Sequence, residues 1–383
     1  VEIREIPFLA MGGIYEEDDL AAVTNVVRAA LDERGSFFPL PEESDFQNAL
    51  ARHEAAEKAI VVNSCGTALD CCMMALGIGP GDEVITTGLT FVCTAGTAIA
   101  RGAKVVFADI LPQTLNINPG QVLKKITKRT KAIIPVHFAG LPCDLDALEA
   151  ISAETGVPII YDAAHAIGAK YRARPIGGYG KASCYSFQSN KNMTCLGEGG
   201  AVTTNDPEFA EKIRQLKTFG YVYGKQLKVA SIGFNYRMTK AQCAVGITQL
   251  AKIDRVNEMK RRLMIEMNRL LSDIPEIIGA PEIGPEHGCH IHVVRLNSSR
   301  VKFTASAFTE RLKNVYGVAT AKHYPAVWQW DAIAELGYNG VGCPETEKAC
   351  SQVFTLPIFP RTKVEDLAYI AWAIKQTIFD LKK

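Results

Sequence analysis

The stretch AIIPVHFAGLPCDLDALEAISAETGVPIIYDAAHA, residues 132–166, sets two apolar runs, AIIPV (132–136) and VPIIY (157–161), around the amphipathic segment DLDALEAISAET (144–155). Short apolar runs read as strands and an apolar period near 3.6 residues reads as a helix, so the order is strand, helix, strand. Neither run alternates apolar with polar residues, which is the pattern of strands buried on both faces of a parallel sheet. Outward from this unit the same signal repeats in AIVV (59–62), EVIT (83–86), KVVF (104–107), SCYSF (183–187) and AVTT (201–204), with helical stretches such as TALDCCMMALGI (67–78) between the earlier ones. The alternation, from about residue 45 to 250, predicts an α/β fold: a mostly parallel seven-stranded sheet between two layers of helices. A polar, glycine-bearing stretch (218–236) follows, then one long helical pattern (239–274), a strand pattern HIHVVRL (290–296) and a helical end, VEDLAYIAWAIKQTIFDLKK (364–383). The expected division is a large domain with an N-terminal arm, 1–250, and a smaller α+β domain, 251–383.

The 383 residues exceed the roughly 100 to 200 typical of one domain, in keeping with two. With 48% hydrophobic and 22% charged residues the chain has ordinary globular composition, and a net charge of +1 provides no basic field for nucleic acid. The longest apolar stretches fall short of the roughly 20 residues that a membrane span needs, and no signal-peptide pattern is read, so a cytoplasmic location is expected. The 11 cysteines, odd in number and without a CxxC pair, point to reduced, buried thiols and to neither a disulfide frame nor zinc. The segments GIGPGD (77–82) and GYGKAS (178–183) match neither a dinucleotide fingerprint nor a P-loop.

In open parallel sheets ligands sit beyond the carboxyl ends of the strands, so residues just after strands are examined first. In NSCGTAL (63–69) a strand gives way to a helix through Ser64, Gly66 and Thr67; a helix N-terminus with a nearby glycine suits a phosphate, and a plain N-cap is the alternative. Asp162 ends a strongly apolar strand, where a carboxylate needs a cation or a hydrogen-bond donor, or caps the next helix. Lys191 stands in SFQSNKNMTCLGEGGAV (186–202), at the edge of the sheet before a glycine-rich turn; alone it would read as a surface charge. In GFNYRM (233–238), Asn235 and Arg237 are either a turn and a surface charge or a polar arm reaching into another subunit's site. Together, a phosphate cradle, a buried acid and a lysine are the parts that pyridoxal 5′-phosphate requires: an anchor for its phosphate, an acid that keeps its ring nitrogen protonated, and an amine for its aldehyde.

The segments VVNSCGTALD, GPGDEVITTGLTFVCTAGTAIARGAKVVFADI, YDAAHAIGA, YSFQSNKNMTCLGEGGAVTTND and GFNYRMTKAQCAVGITQL resemble the DegT/DnrJ/EryC1/StrS family of sugar aminotransferases, from IPF (6–8) to CPETEKACSQVFTLPIFPRTKVEDL (343–367). The resemblance implies aspartate aminotransferase fold type I, a pyridoxal phosphate cofactor, and a homodimer whose sites lie at the subunit interface. It implies that Lys191 is the Schiff-base lysine and the proton shuttle, Asp162 the partner of the pyridine nitrogen, and His165 a neighbour of the cofactor's phenolic oxygen. It places Phe91 on the ring face, Ser64, Cys65, Gly66, Thr67, Ser186 and Gln188 around the cofactor and its phosphate, and Asn235 on the phosphate of the neighbouring subunit. Arg237 would lie near the donor carboxylate or the sugar. In KHYPAVWQW (322–330), His323 and Tyr324 match a family element, whereas Trp328 stands where many relatives have His; it walls the substrate or packs in the core.

The reaction so implied moves an amino group from glutamate or glutamine to a keto or aldehyde sugar, foremost a nucleotide-linked keto-deoxysugar. The alternative acceptors are an unactivated keto sugar, a cyclitol or an 8-oxo sugar acid; Gln188, where relatives often have His, resembles members acting on cyclitols or on 3-amino-5-hydroxybenzoate precursors. A second alternative is a regulator that binds the cofactor without turnover. A dehydrase on this scaffold would carry His in place of Lys191. His287, Cys289, His290 and His292 cluster in EHGCHIH, but the alternation through HVVRLN favours a strand over a metal site, and no metal is expected.

Overall fold

The computed structural model describes residues 2–31, 37, 41–222 and 228–383; part of the polar stretch 218–236, namely 223–227, lies outside the described residues. The expected strands form: β1 (Lys58–Val62), β2 (Glu83–Thr87), β3 (Lys104–Ala108), β4 (Thr130–Ile134), β5 (Ile160–Asp162), β6 (Ala182–Ser186) and β7 (Gly200–Thr204). The opening unit folds as read. Its helix, Leu145–Thr155, begins at an Asp144 N-cap whose Oδ1 accepts from Ala147 N at 3.1 Å, and ends at Gly156, left-handed at φ 71°.

Among the described residues the sheet order is β3-β2-β4-β5-β6-β7-β1, with β7 antiparallel to both neighbours and the other pairings parallel. β4 and β5 join through the parallel bridges Ile133 to Ile159 and Val136 to Asp162, so AIIPV keeps pairing past the end of β4. Adjacent residues face opposite layers. Val62, Val84, Ile134, Ile160, Cys184 and Val202 enter one core with the helices Cys65–Ala75 and Pro207–Leu216. Val61, Ile85, Ile133, Tyr161, Tyr185 and Ala201 enter the other, with Glu42–His53, Leu145–Thr155 and Lys240–Leu250. Burial on both faces explains the unalternating runs.

The long helical pattern 239–274 divides into Lys240–Leu250 and Ile253–Leu271. Periodicity continues across the break, but Lys252 is drawn sideways: its Nζ donates to Asp18 Oδ1 at 2.6 Å and to Asp19 Oδ2 at 2.5 Å, fastening the N-terminal helix Glu17–Leu31. Val364–Lys382 packs against both Ile253–Leu271 and Ala305–Tyr316, and with an antiparallel sheet of Ile277–Ile278, His292–Leu296 and Val353–Leu356 these helices enclose a third apolar core. All 11 cysteines are free thiols, buried except Cys93. Among the described residues no helix is long and apolar enough to cross a membrane.

Candidate active site

Beyond the carboxyl ends of β1, β5 and β6 lies a cavity of about 520 Å³. Ser64, Cys65, Gly66, Phe91, Asp162 and His165 line it, and so do Ser186, Gln188, Lys191, His323 and Tyr324. The residues from 64 to 191 meet because the strand ends of a parallel sheet lie on one rim, and a loop after the helix Ala305–Tyr316 adds His323 and Tyr324.

The Cys65–Ala75 helix starts at Ser64, whose Oγ accepts from Thr67 N at 3.1 Å while Thr67 Oγ1 accepts from Ser64 N at 3.1 Å, a capping box. Thr67's hydroxyl is thereby spent on the cap, and it does not line the cavity. The N–H groups of Cys65 and Gly66, first in the helix, have no intrahelical acceptor and the positive end of the helix dipole lies there. A Cβ on Gly66 would meet only Ser64 Oγ at 3.7 Å and Cys93 Cβ at 3.9 Å, ordinary contacts, so nothing in the protein demands glycine at that position; its small size keeps the cradle open. Gly200 supports the cradle from behind: a Cβ there would lie 2.3 Å from Ser64 C and 2.6 Å from Cys65 N. Gly200→Ala must therefore displace the turn, and a loss of about 1–3 kcal/mol in urea unfolding is the expected result.

Asp162 is 3% exposed. Its Oδ2 accepts from Thr94 Oγ1 at 2.7 Å and its Oδ1 from Ala164 N at 3.1 Å, while Cys65 Sγ is 3.9 Å away. No helix starts directly after Asp162, so the helix-capping alternative does not apply; the residues up to Gly168 form turns, and the buried carboxylate is held by hydrogen-bond donors. Burial pushes the carboxyl up, against the hydrogen bonds and the Lys191 charge, which pull it down. Among the described residues no cation forms an ion pair with it. Lys191, 9% exposed, sits in a tight turn after β6, Lys191 N donating to Gln188 O at 2.9 Å. Burial holds its amine below the usual lysine range, partly offset by Cys65, Asp162 and Cys93. The N-terminal arm braces this turn, with Gly12 N donating to Ser189 O at 3.0 Å and no room at Gly12 for a Cβ, which would fall 2.0 Å from Asn190 O.

His165 Nδ1 accepts from Ala139 N at 3.2 Å, so the imidazole hydrogen is on Nε2 and donates to Tyr324 Oη at 3.1 Å. Burial first, then the charges of Lys191, His323 and Lys260, keeps the ring neutral. His323 Nδ1 pairs with Thr355 Oγ1 at 2.8 Å, and burial lowers its pKa to about 4. Phe91 presents a half-exposed ring, at 50%, 6.0 Å from that of Tyr324.

Three expected residues lie elsewhere. Trp328 is 6% exposed and belongs to the core: its ring meets Phe107 edge-on at 5.0 Å and covers Gly88, where a Cβ would come within 2.1 Å of it. The substrate-wall assignment gives way to packing because the closely apposed Gly88 leaves the indole no open face there. Asn235 is exposed and pairs with Thr218, and Arg237 lies over the Phe219 ring at 5.1 Å; neither lines this cavity. The histidines of EHGCHIH diverge: His287 Nδ1 accepts from Cys289 N, His292 faces Asn268 Oδ1, and His290 Nε2 lies 3.3 Å from Lys191 Nζ. The last contact leaves no signal in the sequence: His290 precedes the strand His292–Leu296 and lies 99 residues from Lys191 in the chain.

The DegT/DnrJ/EryC1/StrS aminotransferase family model matches residues 16–375. The chain belongs to this family. It is an aminotransferase, with the type I fold that the resemblance implied. The spore coat polysaccharide biosynthesis protein SpsC of Bacillus subtilis (strain 168) is 33% identical over 375 residues, 94% of this chain and 95% of its own. The solved structure of DesV from S. venezuelae, in complex with a ketimine intermediate, is 32% identical with a TM-score of 0.86, covering 97% of this chain and 98% of that one. That of 3-amino-5-hydroxybenzoic acid synthase is 29% identical with a TM-score of 0.89, covering 98% and 100%.

Proposed function

We propose that this family member holds pyridoxal 5′-phosphate in the cavity and transfers an amino group from glutamate or glutamine to a keto or aldehyde sugar, foremost a nucleotide-linked keto-deoxysugar. The observation that carries the cofactor is Asp162, a buried carboxylate without a cationic partner among the described residues, opening on the same cavity as the Lys191 amine. Such an acid suits a ring nitrogen that it keeps protonated. Bound there, the cofactor supplies the electron sink that loosens the donor's α hydrogen, and it carries the amino group between the two substrates.

The chain's own residues do the rest. The N–H groups of Cys65 and Gly66, with Ser64 and Ser186, bind the phosphate, and Thr67 serves through the cap. Phe91 covers one face of the ring, and Gln188 borders the site. His165, held as the Nε2–H tautomer, positions the Tyr324 hydroxyl, which keeps its own hydrogen to donate to an oxygen in the cavity. Lys191 joins the cofactor through its amine and moves protons at Nζ, which requires the uncharged form that burial favours. His323 and Tyr324 stand on the acceptor side. Asn235 and Arg237, outward on this chain, serve the site of a second copy in a homodimer, at the phosphate and at the donor carboxylate.

The sugar acceptor is supported by the polysaccharide role in the name of SpsC. The 29% likeness to 3-amino-5-hydroxybenzoic acid synthase favours, as a second reading, an unactivated ring ketone such as a cyclitol. The test is to load the purified protein with pyridoxal phosphate and add glutamate or glutamine, then a panel of nucleotide-linked keto sugars, free keto sugars and cyclitols. Spectral conversion to the pyridoxamine form by a donor and its reversal by a nucleotide-linked sugar is the expected result. Reversal by cyclitols alone supports the second reading, and no conversion with any donor overturns the assignment.

A further inference from the structure

Lys260, on the Ile253–Leu271 helix, is 1% exposed and has no carboxylate within ion-pair distance among the described residues. Its Nζ donates to Asn192 Oδ1 at 2.7 Å and to the backbone oxygen of His290 at 2.5 Å. It therefore grips the residue that follows Lys191 in the chain and the residue that faces the Lys191 amine in space. Asn192 is fixed further, its Nδ2 donating to Asn257 Oδ1 at 2.8 Å and to the carbonyls of Gly288 at 2.8 Å and Cys289 at 3.1 Å. A buried ammonium bound only to neutral acceptors is expensive, and burial, with Lys191 nearby, lowers the Lys260 pKa to about 7.

The imidazole of His290 is neutral, because burial and the charges or dipoles of Lys191, His165, Lys260 and His323 all oppose a cation there. Its Nδ1 has no hydrogen-bond partner among the described residues. A buried N–H left unpaired is the rarer defect than an unpaired acceptor, so the ring hydrogen sits on Nε2, the atom 3.3 Å from Lys191 Nζ. An N–H directed at an amine nitrogen is a hydrogen bond only when that nitrogen keeps its lone pair.

We propose that His290 and Lys260 hold Lys191 in its proton-accepting form, His290 by donating from Nε2 to the Lys191 nitrogen and Lys260 as a positioning residue that fixes His290 and Asn192. The inference rests on the reading of Lys191 as the reactive amine. When Nζ takes a proton from the donor's α carbon it becomes an ammonium, the lone pair is used and the bond from Nε2 is released; giving the proton up restores it. Cys65, Asp162 and Cys93, facing Lys191 from the other side, act in the opposite sense, and Cys289 does so for Lys260.

The test uses the apoprotein, so that its readout does not depend on the cofactor: Lys191 is acylated with acetic anhydride across a pH series and quantified by peptide mass spectrometry. The wild-type midpoint is expected below the ordinary lysine value of about 10.4. His290→Phe and Lys260→Met should each raise it by about one unit, roughly a tenfold loss of reactive amine at fixed neutral pH, while His290→Gln, which still donates, and Lys260→Arg restore it. In the loaded enzyme the first two should lower kcat with little change in donor KM and enlarge the isotope effect with α-deuterated glutamate. An unchanged midpoint in folded His290→Phe and Lys260→Met overturns the proposal. Should those variants not fold, His290→Asn, whose shorter side chain draws the donor away from Nζ, takes their place: a raised midpoint supports the proposal and one equal to wild type overturns it. Borohydride reduction of the loaded wild type separates the two readings: absence of a pyridoxyl group on Lys191 removes the cofactor assignment while the acylation result still reads the His290 contact.

Discussion

Lys191→Ala is expected to reduce transamination by roughly 10⁴-fold or more, since proton transfer by one positioned group contributes about 10²–10⁴ and, in the proposed function, the same nitrogen also anchors the cofactor. The variant should still retain pyridoxal phosphate noncovalently. The proposed phosphate cradle at Ser64 to Gly66, the proposed ring contact of Phe91 and the Asp162 carboxylate do not involve the lysine side chain. The measurement pairs single-turnover rates with cofactor retention on gel filtration. Turnover within tenfold of wild type would refute the role of Lys191, and loss of all cofactor affinity would show that the cradle is weaker than its geometry implies.

For Asp162→Asn the expectation is a fall in kcat of about 10²–10³-fold, the scale for removing one preorganised electrostatic partner from a dry site, together with a more stable apoprotein. The sign follows from the elevated carboxyl: burial raises the folded-state pKa of Asp162, so the folded form binds a proton more tightly than the unfolded chain does. Apoprotein stability from this group is fully present below the unfolded value of about 3.9, falls as pH rises through the elevated folded value, and stays lower at neutral pH. Asparagine removes that dependence. Thermal melts of apo wild type and Asp162→Asn at neutral pH should place the variant higher, and adding pyridoxal phosphate should stabilise the wild type far more than the variant. A variant that melts lower and binds the cofactor equally well would mean that the Thr94 and Ala164 hydrogen bonds, and not a cationic ring, are the reason for the acid.

Stability and activity are thus opposed at Asp162 for the same reason that made it conspicuous in the sequence. A carboxylate ending an apolar strand has a solvation cost that composition alone reveals, and so does a lysine between a strand and GEGG once the strand is recognised. Ser64, Gly66 and Thr67 are legible as a helix start because capping is local, although only the folded geometry distinguishes Gly66, which lines the cavity, from Thr67, whose hydroxyl closes the cap. Trp328 shows the limit: aromatic character is common to a substrate wall and a core, and the choice is made by Gly88 and Phe107, distant in the chain. The break at Ala251–Lys252 was illegible because helical period persists through it while Asp18 and Asp19 pull Lys252 aside.

The seven strands, their helical crossovers and the identity of the buried acid were set by local pattern: apolar runs, caps and turn residues act within a few positions, and the rim of a parallel sheet then collects whatever ends its strands. The protonation state of Lys191, the tautomer of His165 and the bracing of the lysine turn were decided only in three dimensions. His290 lies 99 residues from Lys191 in the chain and Tyr324 lies 159 from His165. Desolvation and charge act through space, summed over every neighbour that folding delivers, and no spacing in the chain records that sum.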